Sequence, residues 1–180
     1  MALSATIFKA ELTLCDMNRD HYESYALTLA RHPSETDERM MVRLLAYALH
    51  ANEALHFTKG LCVDEEPDLW QKDLTGEIAL WIDVGLPDER RVRKACNRSK
   101  RVVLFPYGDR NVDLWWQRNA PHWQRFTNLT VLAVSQEAVT GMAAVVQRHM
   151  TLQYTIQDED IWLNCGEAAI HLSPRHLSLP

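Results

Sequence analysis

The segment from Glu77 to Val84 constrains the fold of this 180-residue chain more than any other. Side chains alternate between the two faces of a strand, and here both faces are apolar, with Ile78, Leu80, Ile82 and Val84 on one and Ala79 and Trp81 on the other. Such a strand is typical of the middle of a sheet that helices cover on each side. Pro87 then opens a helix, and residues 102–107 follow as a second buried strand. The pattern predicts a strand–helix–strand unit with parallel pairing.

Weaker patterns extend the prediction toward both termini. Residues 5–14 are expected to be a strand, and residues 55–63 a further short strand. Residues 22–29 fit either a strand or a helix, with the strand preferred. Ser34 is suited to cap a helix that runs to about residue 50, with Glu35, Asp37 and Glu38 in its first turn, where the helix dipole favours acids. Later helices are expected over 111–118 and 137–148, and later strands over 129–134, 152–156, 161–165 and 168–172.

These elements together predict a mixed α/β fold in a single domain of residues 1–180. Its mixed central sheet is flanked by helices, and the N-terminal strand and a C-terminal hairpin add an antiparallel layer. The expected core positions lie on the first helix and the central strands: Leu44, Leu45, Ile78, Leu80, Ile82, Val103 and Leu104.

Composition and cysteine spacing exclude several functional classes. The chain is 47% hydrophobic and 24% charged, which is an ordinary globular balance. It has no apolar segment long enough to span a membrane and no signal-peptide pattern at its start, so a cytoplasmic protein is expected. The cysteines lack zinc-like spacing and are expected to be buried free thiols. A P-loop, an HExxH motif and a serine nucleophile elbow are also missing from the sequence.

Three carboxylates are candidates for a metal site. Asp83 follows Trp81 on one face of the apolar strand, Asp68 lies in an acidic loop, and Glu38 lies on the apolar side of the first helix. Each has a simpler explanation: a solvated strand end, a solvated loop, and a favourable charge at a helix N-terminus. Together they could hold Mg²⁺ or Mn²⁺, because hard cations take carboxylate oxygens with water and phosphate.

A basic segment offers a counterpart to these acids. Seven of the 19 Lys and Arg residues fall between Arg90 and Arg101: Arg90, Arg91, Arg93, Lys94, Arg98, Lys100 and Arg101. A helix of this kind could face the phosphates of nucleic acid, although a solvated helix face is the simpler explanation of the pattern. The formal charge of −5 argues against a general nucleic-acid coat but leaves room for one local patch.

Several unusual motifs resemble the YaeQ family of bacterial proteins over essentially the whole chain. They are Met1-Ala2-Leu3, Leu29-Ala30-Arg31-His32-Pro33-Ser34-Glu35-Thr36, Glu38-Arg39-Met40-Met41, Lys59-Gly60-Leu61-Cys62, Gly85-Leu86-Pro87-Asp88-Glu89-Arg90-Arg91 and Met150-Thr151-Leu152-Gln153. The resemblance implies a variant of the PD-(D/E)XK nuclease-like fold. Its core is a helix, three strands, a helix and a strand, which here would span about residues 34–107.

The resemblance also implies roles for particular residues. Pro67-Asp68 would supply the first acid of the motif and Asp83 the second, with Glu38 as the acid from the first core helix. The position of the motif lysine is occupied by Gly85, which has no side chain to place beside a metal-bound water. Arg91 or Lys94 from the next helix would have to replace that lysine.

Two functions are therefore expected. The first is a Mg²⁺- or Mn²⁺-dependent phosphodiesterase acting on nucleic acid, with Asp68, Asp83 and Glu38 at the metal and Arg91 or Lys94 on the phosphate. The second is a non-catalytic module that binds nucleic acid through the Arg90–Arg101 helix, or binds a protein, in keeping with the link to transcription that the family resemblance suggests. Gly85 favours the second.

Overall fold

The computed structural model describes residues 3–180, which form a mixed α/β fold. In chain order its elements are β1 (Thr6–Asp16), β2 (His21–Arg31), α1 (Asp37–His50), β3 (Leu55–Phe57), β4 (Leu69–Lys72), β5 (Ile78–Val84), α2 (Glu89–Arg98), β6 (Ser99–Phe105), α3 (Arg110–Trp123), β7 (Leu129–Ala133), α4 (Gln136–Ala143), β8 (His149–Gln157), β9 (Asp160–Cys165), β10 (Ala168–Leu172) and β11 (Arg175–His176). A single 3-10 turn covers Gly60–Cys62.

The chain divides into two compact units, each with its own sheet. The first unit runs to Leu49 and resumes over Glu137–Ser173, so it contains most of the terminal strands together with α1 and α4. The second unit is His50–Gln136 with Pro174–Pro180. The segment expected to form a nuclease-like core therefore takes its first helix from one unit and its strands from the other.

The sheet of the first unit has the order β10-β9-β8-β1-β2. The C-terminal hairpin is present as β8 and β9, but β8 pairs with β1 in parallel, and only the β1–β2 and β8–β9–β10 pairs are antiparallel. The expectation of an antiparallel layer was therefore wrong in part. Parallel neighbours require a long crossover rather than a hairpin, and the chain between β1 and β8 provides that crossover.

The sheet of the second unit has the order β11-β7-β6-β5-β4-β3. Strands β3, β4 and β5 form an antiparallel meander, and β5, β6 and β7 run parallel to one another. The predicted strand–helix–strand unit is confirmed as β5, α2 and β6. Strand β5 pairs with β4 on one edge and with β6 on the other, and consecutive residues 80–84 are all buried, so both of its faces are covered as its apolar sequence predicted.

The predicted core is confirmed at every expected position. Seven side chains are buried as expected: Leu44, Leu45, Ile78, Leu80, Ile82, Val103 and Leu104. In the second unit, a cluster around Trp81 and Trp123 joins β5 and β6 to α2 and α3. Among residues 3–180, no helix combines the length and the apolar character that crossing a membrane would need.

Element boundaries differ from the sequence predictions at α1, β3 and β4. The N-cap of α1 is Thr36, whose Oγ1 accepts from the Arg39 amide at 3.2 Å, and not Ser34, whose hydroxyl is hydrogen bonded to His32. Glu35 therefore precedes the helix. The predicted strand over 55–63 ends at Phe57, where the chain turns through Gly60, and β4 was missed because only four residues form it.

Cysteine reactivity follows from the burial of each thiol. All four cysteines are free, but only Cys96 is fully buried. Cys15 and Cys165 are partly buried and Cys62 is exposed, so the expectation of buried thiols was wrong at Cys62 and met only in part at Cys15 and Cys165. Burial raises the pKa of Cys96 to about 12, so at pH 8 only about one thiol in ten thousand is the reactive thiolate.

We expect a thiol reagent to label Cys62 rapidly and Cys96 only after unfolding. Mass spectrometry of labelled peptides checks this result, and Cys62→Ser should remove the fast phase alone.

Candidate functional site at the end of β5

Asp83 is a buried carboxylate near the end of β5, with 2% of its surface exposed. Trp81 lies two residues earlier on the same face, and its indole Nε1 donates to Asp83 Oδ2 at 2.9 Å. This contact fulfils the alternation predicted from the sequence. A carboxylate at such a site requires a strong partner to offset its lost hydration.

Arg91 of α2 is that partner. Its Nε donates to Asp83 Oδ2 at 2.8 Å and its Nη2 donates to Asp83 Oδ1 at 2.9 Å, so the guanidinium engages both carboxylate oxygens. Arg91 Nη1 and Nη2 also donate to the backbone carbonyls of Asp64 and Glu66, at 3.0 and 2.8 Å respectively. The hydrogen bond to Asp83 raises the pKa of Arg91 further above its usual value. Arg91 therefore connects β5, α2 and residues 64–66.

Asp68 lies immediately before β4 and is 4% exposed. Its Oδ2 accepts from the Val84 amide at 2.8 Å, one residue beyond Asp83. The charge of Asp68 also contributes to the raised pKa of Arg91, after that of Asp83. The two acids predicted from the motif thus act on one guanidinium at the ends of adjacent strands.

The other predicted site residues are placed differently. Glu38 lies in α1 and so in the first unit, whereas Asp68 and Asp83 belong to the second. Lys94 of α2 contacts Glu65 instead, with its Nζ 2.5 Å from Glu65 Oε2. Of the two candidates for the missing lysine, Arg91 is the one that contacts Asp83.

The backbone explains why glycine stands at the lysine position. Gly85 has a φ of +98°, in the region that side chains with a Cβ adopt only with strain. Its amide donates to the Phe105 carbonyl at 3.0 Å, which extends the β5–β6 pairing past Val84. A lysine at residue 85 would be strained whatever space surrounds it.

The acidic loop, defined here as residues 64–66, lies against the basic helix. Glu65 Oε2 is 2.5 Å from Lys94 Nζ and 3.3 Å from Arg98 Nη1. The hydrogen bond from Lys94 lowers the pKa of Glu65, and the charges of Lys94, Arg98 and Arg91 lower it further. Sequence reasoning considered this loop as solvated or as a source of metal ligands, and it did not predict the contact of Glu65 with α2.

The present arrangement does not fit a divalent cation at Asp83. Both oxygens of this carboxylate accept from Arg91, and one also accepts from Trp81. A cation there would stand directly against a guanidinium of the same charge sign. Across residues 3–180, no group of three or more His, Cys, Asp or Glu side chains is arranged to hold a metal ion.

A second buried polar cluster, in the first unit, was missed by sequence reasoning. Glu35 accepts from Arg43 Nε and Nη2, both at 2.7 Å, and from Arg39 Nη1 at 3.0 Å. Arg43 also donates to the Ala30 carbonyl of β2 at 3.2 Å. Glu35 lies before the start of α1 and Arg43 lies within it. A spacing of eight residues across a helix start is not a known pairing pattern, so this contact could not be predicted from the sequence.

Fold and site define a mixed α/β protein whose buried acid–arginine pair joins a central strand to a basic helix. A family model described as YaeQ protein matches residues 1–174, and the chain belongs to this family. It is 49% identical to the uncharacterised YaeQ protein of Escherichia coli strain K12 over 164 residues, 91% of each chain. Its identity to the uncharacterised YaeQ protein of Salmonella typhi is 47% over the same share.

Solved structures of the family have the same fold. The crystal structure of the YaeQ protein from Xanthomonas axonopodis pv. citri matches with a TM-score of 0.94 and 46% identity, covering 98% of this chain and all of that one. The crystal structure of the YaeQ protein from Pseudomonas syringae matches with a TM-score of 0.93 and 36% identity, covering 97% of this chain and 96% of that one.

Proposed function

We propose that this chain is a non-catalytic nucleic-acid-binding module built on a variant of the PD-(D/E)XK nuclease-like fold. The element order α1, β3, β4, β5, α2, β6 supports the fold, because it repeats the helix, three strands, helix and strand of that core. The observation that carries the function is the two-point contact of Arg91 with Asp83, which occupies the acid that a nuclease would offer to its metal.

The basic face of α2 is the surface that would meet phosphates. Arg90 of α2 is exposed, and so is Arg101, and no ion pair involves either of them among the described residues. The predicted helix over Arg90–Arg101 was wrong at its end, because α2 stops at Arg98 and Lys100 and Arg101 lie in β6. Lys94 and Arg98 are partly exposed, with 34% and 44% of their side chains accessible, but both are paired with Glu65. Phosphates attract such side chains by the same charge interaction that Glu65 now provides, so nucleic acid and the acidic loop would compete for them.

Removing the charge of Glu65 tests this competition. Glu65→Gln should tighten the binding of a short oligonucleotide by about threefold to tenfold at low salt, because Lys94 and Arg98 would be released for phosphates. Fluorescence anisotropy with single-stranded and duplex DNA and RNA measures the affinity. The gain should shrink as salt rises, since counterion release drives the binding.

Two matched variants make the result specific. Glu53→Gln removes one exposed charge elsewhere in the second unit and should leave the affinity within about twofold, because it frees no cation of α2. Adding Lys94→Gln to Glu65→Gln should cancel most of the gain. If neither wild type nor Glu65→Gln binds any of these oligonucleotides at low salt, nucleic-acid binding through α2 is ruled out.

A Mg²⁺- or Mn²⁺-dependent phosphodiesterase is the second candidate. It is favoured by one observation, that Asp68 and Asp83 are both buried and both act on Arg91, so two carboxylates face one guanidinium. Incubating labelled DNA and RNA with each metal tests it. Cleavage by wild type that is lost in Asp83→Asn would show that the chain is an enzyme rather than a binding module. We expect both DNA and RNA to stay intact with either metal.

A further inference from the structure

Helix α3 presents a line of arginines to solvent, here called the arginine stripe: Arg110, Arg118 and Arg125. At 3.6 residues per turn, steps of seven and eight residues return to nearly the same side of a helix. Arg125 lies just past the last residue of α3, but Gln124 before it keeps helical backbone angles, with a φ of −52° and a ψ of −31°. All three arginines are exposed.

The opposite side of α3 fixes this orientation. Val112, Asn119, Ala120 and Trp123 are buried, and Trp123 belongs to the apolar cluster that also contains residues of β5, α2 and β6. A helix that buries one side in this way keeps its other side in water. With a rise of 1.5 Å per residue, the arginine stripe extends over about 22 Å of the surface of the second unit.

The charges of the arginine stripe are not offset by acids. No ion pair involves any of its three members in the part of the chain that the structure describes. The acid within α3, Asp113, lies with its Oδ1 2.8 Å from Arg175 Nη2. The guanidinium carbon of Arg125 is 4.9 Å from the ring centroid of Phe126, a contact that leaves the charge in place. On a chain with a formal charge of −5, this local excess of positive charge is typical of a surface that binds a polyanion.

Helix α2 differs in this respect. Its Arg91, Arg93, Lys94 and Arg98 are each paired with an acid. A phosphate that approaches α2 must displace Glu65 from two of these side chains, whereas the arginine stripe requires no displacement. Both helices pack against the same apolar cluster, so their exposed sides are neighbouring surfaces of the second unit.

We propose that the arginine stripe binds the phosphate backbone of nucleic acid. The inference rests on the proposed function and deepens it, because it assigns a second contact surface that is available before any acid moves. Guanidinium groups are always charged and can bind phosphate oxygens through two parallel hydrogen bonds. A line of three such groups matches a partner whose charges also lie in a line. An anionic membrane is matched less well, since the apolar side of α3 is already buried and cannot insert.

Arg118→Gln tests this contact, because it removes the middle charge of the stripe. Each phosphate contact contributes about 0.9 to the slope of log affinity against log salt on a duplex and about 0.7 on a single strand, so the variant should lower the slope by that amount. At low salt it should weaken binding by about threefold to fivefold, equally for unrelated sequences. Replacing all three arginines with glutamine should lower the slope about three times as much. Fluorescence anisotropy over a salt series measures both quantities.

Two further variants separate this effect from net charge and from folding. Lys9→Gln removes the same charge from an exposed side chain of β1, in the first unit, and should leave the slope unchanged. Gln117 is exposed and lies seven residues after Arg110, so Gln117→Arg adds a charge to the stripe and should steepen the slope by one contact. Equal slopes for wild type, the triple variant and Gln117→Arg would overturn the proposal.

Other outcomes distinguish this inference from the proposed function. Binding that responds to Glu65→Gln but not to the α3 variants would leave the proposed function standing and refute the role of the arginine stripe. Binding that depends on the stripe, with no effect of Glu65→Gln, would support the stripe and move the contact surface from α2 to α3. Wild type that binds phosphatidylserine vesicles through the stripe, but no oligonucleotide, would refute nucleic acid as the partner. Absence of all oligonucleotide binding at low salt would refute both proposals.

Discussion

Replacing Glu35 with alanine is expected to lower the free energy of unfolding by about 4 kcal/mol, the largest effect among the predicted variants. The Glu35 side chain is 2% exposed and the Arg43 side chain 6%. The carboxylate binds Arg43 at both oxygens and Arg39 at one. Without it, the positive charge of Arg43 stays in the interior and loses its main compensating charge, which costs far more than a surface ion pair is worth.

Urea unfolding followed by circular dichroism measures this loss. Glu38→Ala is the control, because Glu38 lies in the first turn of α1 and is only partly buried; it should cost at most about 1 kcal/mol, the scale of a charge at a helix N-terminus. Equal losses from the two variants would show that the buried cluster contributes no more than an ordinary helix-end charge.

Replacing Arg91 with alanine is expected to lower the free energy of unfolding by about 3 kcal/mol. The change removes the guanidinium from the Asp83 carboxylate, whose side chain is 3% exposed, and leaves it the hydrogen bond from the Trp81 indole. It also releases the carbonyls of Asp64 and Glu66, so the acidic loop loses its attachment to α2. The effect should be smaller than at Glu35, because the Arg91 side chain is 30% exposed.

A neighbouring residue and a double variant test the origin of this loss. Arg93→Ala removes a pair with Glu89 in which both side chains are more exposed, and should cost less than about 0.5 kcal/mol. In a double-mutant cycle, adding Asp83→Asn to Arg91→Ala should recover about 1 kcal/mol or more, since no buried charge remains uncompensated. A coupling energy near zero would contradict a direct interaction between the two side chains.

The residues of the candidate site could be predicted from the sequence, but the contacts between them could not. Asp68, Asp83 and Arg91 were identified from residue type, strand alternation and the resemblance to the YaeQ family. Their contacts depend on where α2 packs on β5 and how residues 64–66 turn back on α2. Those positions are fixed by packing between segments that are far apart in the sequence, so the pairing of Arg91 with Asp83 and of Lys94 with Glu65 had no local signal.

The sequence by itself determined the elements whose patterns are local. The two-sided apolar strand β5 and the alternation of β1 each follow from side-chain spacing and backbone preference, and the structure confirms them. The helix after β5 was also predicted, but it begins at Glu89 with Asp88 as its N-cap, two residues after Pro87. Only the tertiary structure decided that β8 runs parallel to β1, that α1 and α4 belong with the terminal strands, and that Glu35 reaches Arg43. Strand neighbours and ion-pair partners are chosen by burial and charge across long stretches of chain, and one-dimensional spacing does not encode that choice.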